Sequence, residues 1–191
     1  MLVQARERKS WIPNASIKFP CTAEGLKAAS VACREMPVNI TLVFSQSQAA
    51  AVYEATMGAR YSVFLSPFVG RLDDIGQNGM QLIANILKMY KEGDGHVEVL
   101  TASVRNINHF LYALQLGSDI ITTPFKVLQI WKEMGMKEPS KDFVYPADNF
   151  TPIDYREDIT LGKTWTDYDL NHPLTTKGVA AFHKDWMDLF I

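Results

Sequence analysis

Lys18 lies inside the apolar run Ile17-Lys18-Phe19. An amine desolvated in such a strand loses part of its preference for the charged form, and the neutral amine attacks carbonyl carbon. A lysine that snorkels from a strand end leaves the same pattern. Asn39 and Thr41 alternate with apolar neighbours in Asn39-Ile40-Thr41-Leu42-Val43, so they share a strand face with Val43. On the inner face of a barrel, an Asn and a Thr would hydrogen-bond a polar ligand; on the outer face they would pack against helices. Arg71 follows Ser66-Pro67-Phe68-Val69-Gly70, and Ser103 and Arg105 follow the run Val97-Glu98-Val99-Leu100-Thr101. Two guanidinium forks and a hydroxyl on neighbouring loops suit a phosphate group, although either arginine alone reads more readily as half of a surface ion pair. His96, His109, His172 and His183 show no ligand spacing and read as structural or surface residues. Cys21 reads as a small loop residue, and neither it nor Cys33 has the partner that a disulfide framework or thiolate metal site needs.

These residues require elements that bring them to one place. Short β-branched or apolar runs fall at 15–19, 40–44, 61–65, 97–101 and 120–122, separated by helical patterns, which is the signature of a buried parallel sheet. Ser45-Gln46-Ser47-Gln48 has the form of a capping box, with Gly58 where the helix would stop. Met80, Ile83, Ala84 and Leu87 are spaced for one helical face, as are Ile107, Phe110, Leu111 and Leu114. Val127, Leu128, Ile130 and Trp131 precede Gly135. The expected strand ends at 18, 41, 66, 103 and 122 are 23, 25, 37 and 19 residues apart, compatible with about 30 per βα unit of a (β/α)8 barrel. About five units are expected over 1–138, carrying the lysine and the phosphate site. Residues 139–174 read as an irregular connection. A last helix is expected over 175–191, opening near Thr175-Thr176. Its face Val179, Phe182, Trp186 and Leu189 should pack on the barrel or on a neighbouring subunit.

Composition sets the outer limits. With 191 residues, 47% hydrophobic and 21% charged, the chain has ordinary globular character and the length of a single domain. A net charge of −2 without basic runs argues against a nucleic-acid partner. No stretch approaches the about 18 apolar residues of a membrane span, and the sparse cysteines fit a reducing cytoplasm.

Four segments in order carry a family resemblance. Ile17-Lys18-Phe19-Pro20-Cys21-Thr22-Ala23-Glu24-Gly25-Leu26 resembles the Schiff-base lysine motif of the transaldolase family. The segments running from Asn39 to Ala49, from Ser66 to Arg71 and from Ala102 to Asn106 resemble its later motifs. The resemblance implies a (β/α)8 TIM barrel, with Lys18 at the end of the fourth strand forming an imine with a ketose phosphate. It implies that Asn39 and Thr41 bind the dihydroxyacetone unit and a catalytic water, and that Ser66 and Phe68 line the site. Arg71, Ser103 and Arg105 would hold the phosphate. The implied activity is transaldolase, moving a dihydroxyacetone unit between sugar phosphates without metal or organic cofactor, in a homo-oligomer. A fructose-6-phosphate aldolase is the alternative; there the aromatic after Ser/Ala-Pro is characteristically Tyr, where this chain has Phe68. A phosphosugar-binding fragment without catalysis is a third reading. The family's proton-handling aspartate lies on a strand that would precede Lys18, so the present segment is expected to carry the last five units only. Expressed alone it is expected to be poorly soluble or oligomeric and without turnover; a monodisperse active monomer in sedimentation and coupled-enzyme assays would contradict this.

Overall fold

The computed structural model describes residues 1–190. Its centre is a parallel sheet in the order β1 (Ile17–Pro20), β2 (Val38–Val43), β3 (Val63–Pro67), β4 (Val97–Thr101) and β5 (Ile120–Ile121). The fold is α/β, as expected, with β2 beginning two residues before the expected run and β3 displaced two residues onward to include Ser66-Pro67. Between the strands run α2 (Ala23–Ala32), α3 (Gln46–Ala55), α4 (Val69–Asp73), α5 (Gly79–Tyr90) and α6 (Ile107–Leu116). α1 (Leu2–Lys9) precedes the sheet, and α7 (Phe125–Glu133) and α8 (Pro173–Met187) follow it.

One device recurs at the helix starts. Thr22, Ser45, Asn78 and Asn106 each accept a hydrogen bond from the backbone N–H three residues on, which satisfies a donor that the helix itself cannot. Three of the four stand within a few residues of a strand's C-terminal end, so they fix how the chain turns there.

The register separates the two sheet faces. Phe19, Ile40, Leu65 and Val99 lie side by side and are sealed by helices, as are Val38, Val63 and Val97. Each such side chain stabilises the fold by about 1.5–3 kcal/mol relative to exposure. On the other face Lys18, Asn39, Phe64 and Glu98 form the matching row, and none of them is buried. Leu42, Val63 and Val99 are all sealed, and the incompletely covered face is the one carrying Lys18.

Two helical faces differ from their expected outlines. α5 buries Met80, Leu82, Ile83, Ile86 and Met89, a face turned toward the sheet beyond the expected stripe, which leaves Ala84 and Leu87 at its margin. In α7 only Val127 is buried, and Leu128 and Ile130 face outward.

After α7 the chain crosses the sheet's helical layer without regular structure apart from a 3-10 turn at Trp165–Asp167. Buried amides hold it by its backbone. Gln46 pairs with the N–H and carbonyl of Arg156, Asn85 donates to the Ile153 carbonyl, and Gln81 accepts from the Ile153 N–H. Gln48, wholly buried, accepts from the Phe44 N–H and donates to the Leu170 carbonyl and the Thr175 hydroxyl. The capping box is thus half formed: Ser45 caps Gln48, but the Gln48 amide reaches Phe44 and the distant segment.

α8 opens at Pro173, two residues before the expected start, because His172 supplies the cap and Pro fits the first helical turn. Thr175 donates to the Leu42 carbonyl at 2.9 Å and Gly178 packs beside Leu42. The stripe Val179, Phe182, Trp186 and Leu189 is exposed in the single chain: the first turns meet β2, and the later turns carry it past the sheet. Among the described residues no helix is long and apolar enough to cross a membrane.

Gln48→Leu keeps the volume but leaves the Phe44 N–H and the Leu170 carbonyl without a partner. It is expected to lower stability by about 3 kcal/mol, read as a fall in the urea midpoint at unchanged m-value.

Candidate active site

The polar residues singled out from the sequence gather at the C-terminal ends of β1 to β4 and on the uncovered face. Lys18 is in register with Asn39 on the neighbouring strand, so their side chains leave the same face about 5 Å apart. The Asn39 Oδ1 accepts a hydrogen bond of 2.7 Å from the Ser66 hydroxyl, and Ser66 is wholly buried. Thr41 is 4% exposed, and its hydroxyl has no hydrogen-bond partner among the described residues. A buried hydroxyl left unpaired costs about 1–3 kcal/mol. Thr41 stands where β2 departs from regular pairing, with Leu42 next to it at φ +62°.

Lys18 itself is exposed, beside Arg8 at a recess of about 200 Å³ between α1 and β1. The desolvation expected for it is therefore not supplied within this chain: β1 is the sheet's outer strand and the face before it is open. Cys21 one turn beyond is buried, and burial pushes its thiol up, which suits an inert packing residue.

The loops after β3 and β4 are joined by backbone. Phe68 bridges Ala102, the Val69 N–H donates to the Ala102 carbonyl, and the Gly70 N–H donates to the Ser103 carbonyl at 3.1 Å. A side chain at Gly70 would collide with that carbonyl and with Arg105, so a glycine there is what lets Arg105 lie against the Arg71 loop. Ser103 takes φ +62°, which turns the chain back toward Gly70. Arg71 and Arg105 thus leave adjoining loops, as the sequence pattern implied. They differ in state: Arg105 is exposed and ion-paired to Asp74 at 3.0 Å, while Arg71 is half-buried with its guanidinium 5.2 Å from the Phe68 ring centroid.

Several residues that shape this end were not singled out beforehand. His109 is completely buried; its Nδ1 accepts from the Arg105 N–H, and its Nε2 lies 2.6 Å from Asp73, which also accepts from the Tyr145 hydroxyl. This fixes the loop that carries Arg105. Its one local signal is the spacing Asn106-x-x-His109, which puts the histidine on the first helical turn with its side chain directed back over the cap. Desolvation and the nearby Asp73 carboxylate push the Tyr145 phenol up, so it stays neutral and donates. His172 stacks on Phe44 with ring centroids 5.1 Å apart, and Phe44 meets Phe68 edge-on at 6.0 Å. A roomier cleft of about 580 Å³ lies between the start of α3 and the segment around Arg156 and His172, and none of the expected catalytic or phosphate residues line it.

Comparison with known proteins gives the arrangement its relatives. The profile of the Transaldolase/Fructose-6-phosphate aldolase family matches residues 1–191. The chain belongs to this family. It is 38% identical over 187 residues to a probable transaldolase of Dehalococcoides mccartyi, covering 97% of this chain and 67% of the relative. A probable transaldolase of Mesorhizobium japonicum is 37% identical over 188 residues, covering 97% and 66%. One from Caldicellulosiruptor saccharolyticus is 46% identical over 131 residues, covering 68% and 58%. The chain therefore spans about two thirds or less of the length of these relatives. The family assignment agrees with the resemblance carried by the four motifs.

His172 generates a pH expectation. Its Nδ1 must be unprotonated to accept from the Leu174 N–H, and burial holds its pKa below the ordinary value. The unfolded chain therefore binds the proton more readily, so this contribution is complete above about pH 6.5 and is lost as the pH falls below it. Stability is expected to drop as the pH falls below about 6.5. His172→Asn, which keeps a capping acceptor without a titrating ring, should show a smaller drop in paired urea titrations.

Proposed function

We propose that this chain carries the imine-forming and phosphate-binding portion of a transaldolase active site, within a (β/α)8 barrel to which it contributes five βα units. The observation that carries this is one constellation: Lys18 in register with Asn39, Asn39 bonded to Ser66, and the unpartnered Thr41 hydroxyl, bordered by the joined loops of Arg71, Ser103 and Arg105.

In this reading the Lys18 amine attacks the C2 carbonyl of a ketose phosphate. The carbinolamine loses water to give a protonated imine, which draws electrons from the C3–C4 bond. That bond breaks as the C4 hydroxyl loses its proton, releasing an aldose phosphate and leaving an enamine on Lys18. The enamine carbon then attacks the aldehyde of a second aldose phosphate, and hydrolysis of the new imine frees the product and the amine. Asn39 and Thr41 supply hydrogen bonds to the dihydroxyacetone unit and the water that adds or leaves. The uncovered sheet face is the barrel interior, and the amine gains the neutral form it needs when that face is closed. The carboxylate that takes the C4 proton belongs to a strand preceding Lys18 in the barrel.

Phe68 favours transfer over release of free dihydroxyacetone. Its ring packs on Phe44 and beside Arg71 and bears no hydroxyl to help a water into the enamine site.

Borohydride reduction in the presence of fructose 6-phosphate is expected to attach the substrate carbon skeleton to the peptide containing Lys18 and to no other. Lys18→Arg should abolish the adduct, and a reduced adduct on Lys27 or elsewhere would overturn the assignment. Arg71→Ala is expected to weaken phosphorylated substrates by about 1.5–3 kcal/mol. Arg105→Ala should cost less, because Arg105 must leave Asp74 to reach the ligand; equal losses on unphosphorylated substrates would argue for a folding role.

A further inference from the structure

Arg71 is held by aromatic rings where other arginines of the chain hold acids. Its guanidinium carbon lies 5.2 Å from the centroid of Phe68 and 5.2 Å from that of Phe182, in the third turn of α8. Arg6, Arg105 and Arg156 each pair with a carboxylate, whereas among the described residues none pairs with Arg71. A carboxylate would cancel the charge and occupy the N–H donors. A ring face attracts the cation and restricts its side chain while leaving donors for an anion. The helix is brought to this distance by contacts at β2: Thr175 is bonded to the Leu42 carbonyl, and a Cβ on Gly178 would stand 2.9 Å from an Arg71 terminal nitrogen. α8 is therefore fitted along three consecutive turns, the first against Leu42 and the next two against Arg71.

We infer that Phe182 is a positioning residue for Arg71, through which the C-terminal helix sets the grip on the phosphate of a sugar-phosphate ligand. This rests on the phosphate role proposed above for Arg71 and adds the group that holds it. Without the second ring the side chain must be ordered when the ligand arrives, and affinity falls with that added loss of freedom. The effect is confined to ligands bearing phosphate.

The test uses the full chain and D-arabinitol 5-phosphate, a polyol phosphate with no carbonyl, so imine formation at Lys18 does not enter the readout. Affinity is measured by titration calorimetry. Phe182→Leu is expected to weaken binding about five- to twentyfold, and Phe182→Tyr, which restores a ring face, to stay within about twofold of the wild type. Arg71→Ala should weaken binding at least as much, and Phe182→Leu added to Arg71→Ala should change nothing more. If Arg71→Ala weakens binding but Phe182→Leu does not, the positioning role is overturned and the phosphate role of Arg71 stands. If Phe182→Leu weakens the Arg71→Ala protein further, Phe182 acts through the fold and the inference fails. Absence of binding by the wild type, or no effect of Arg71→Ala, overturns the phosphate role and this inference with it.

Discussion

Strands that run parallel cannot be joined by a hairpin, so each step from β1 to β5 must cross over through a helix, and such crossovers are right-handed. When the strands also follow one another in spatial order, every crossover falls on the same side of the sheet. This one constraint divides the molecule. It forces Ile40, Val63, Leu65 and Val99 under helices and leaves the row from Lys18 to Glu98 on the side that no crossover can reach. The same geometry delivers every strand's C-terminal end to one rim, where short capped turns carry Ser45, Phe68, Arg71, Ser103 and Arg105. That rim can carry polar side chains because the stabilising burial is done elsewhere.

The local part of this was legible from sequence. Parallel strands buried on their helical face read as β-branched runs, and one helix start read as the Ser45 capping box. The boundaries of β2 and β3 moved because pairing partners, and not hydrophobicity, decide where a ladder begins: Val38 is drawn in by Val63, and Ser66-Pro67 by the continuation toward Phe68 and Ala102. Long-range polar anchoring was not legible. Nothing near Gln48 in sequence announces Leu170 and Thr175, more than 120 positions away, and Gln46 finds Arg156 at a separation of 110. A glutamine in a capping-box position carries a local explanation already, which conceals the distant one.

The placement of the candidate residues was legible, and their exposure less so. Side-chain types and spacing place Lys18, Asn39, Thr41, Ser66 and the two arginines on neighbouring ends, because alternation along a strand and succession along a sheet are both readable in one dimension. Solvent exposure is a property of what lies opposite, and the apolar neighbours Ile17 and Phe19 belong to the other face from Lys18, so they could not report on its surroundings. His109 illustrates the converse: its burial and its hold on Asp73 and Arg105 depend on Tyr145 arriving from a segment that has no period to read.

The backbone bonds from Val69 to Ala102 and from Gly70 to Ser103 make the loops after β3 and β4 a single plate. Lengthening or shortening either loop would strain the other, so a change of length in one is felt in both. Change is carried more easily by the side chains standing on the plate, or by the helix leaning on it, because neither breaks these backbone bonds.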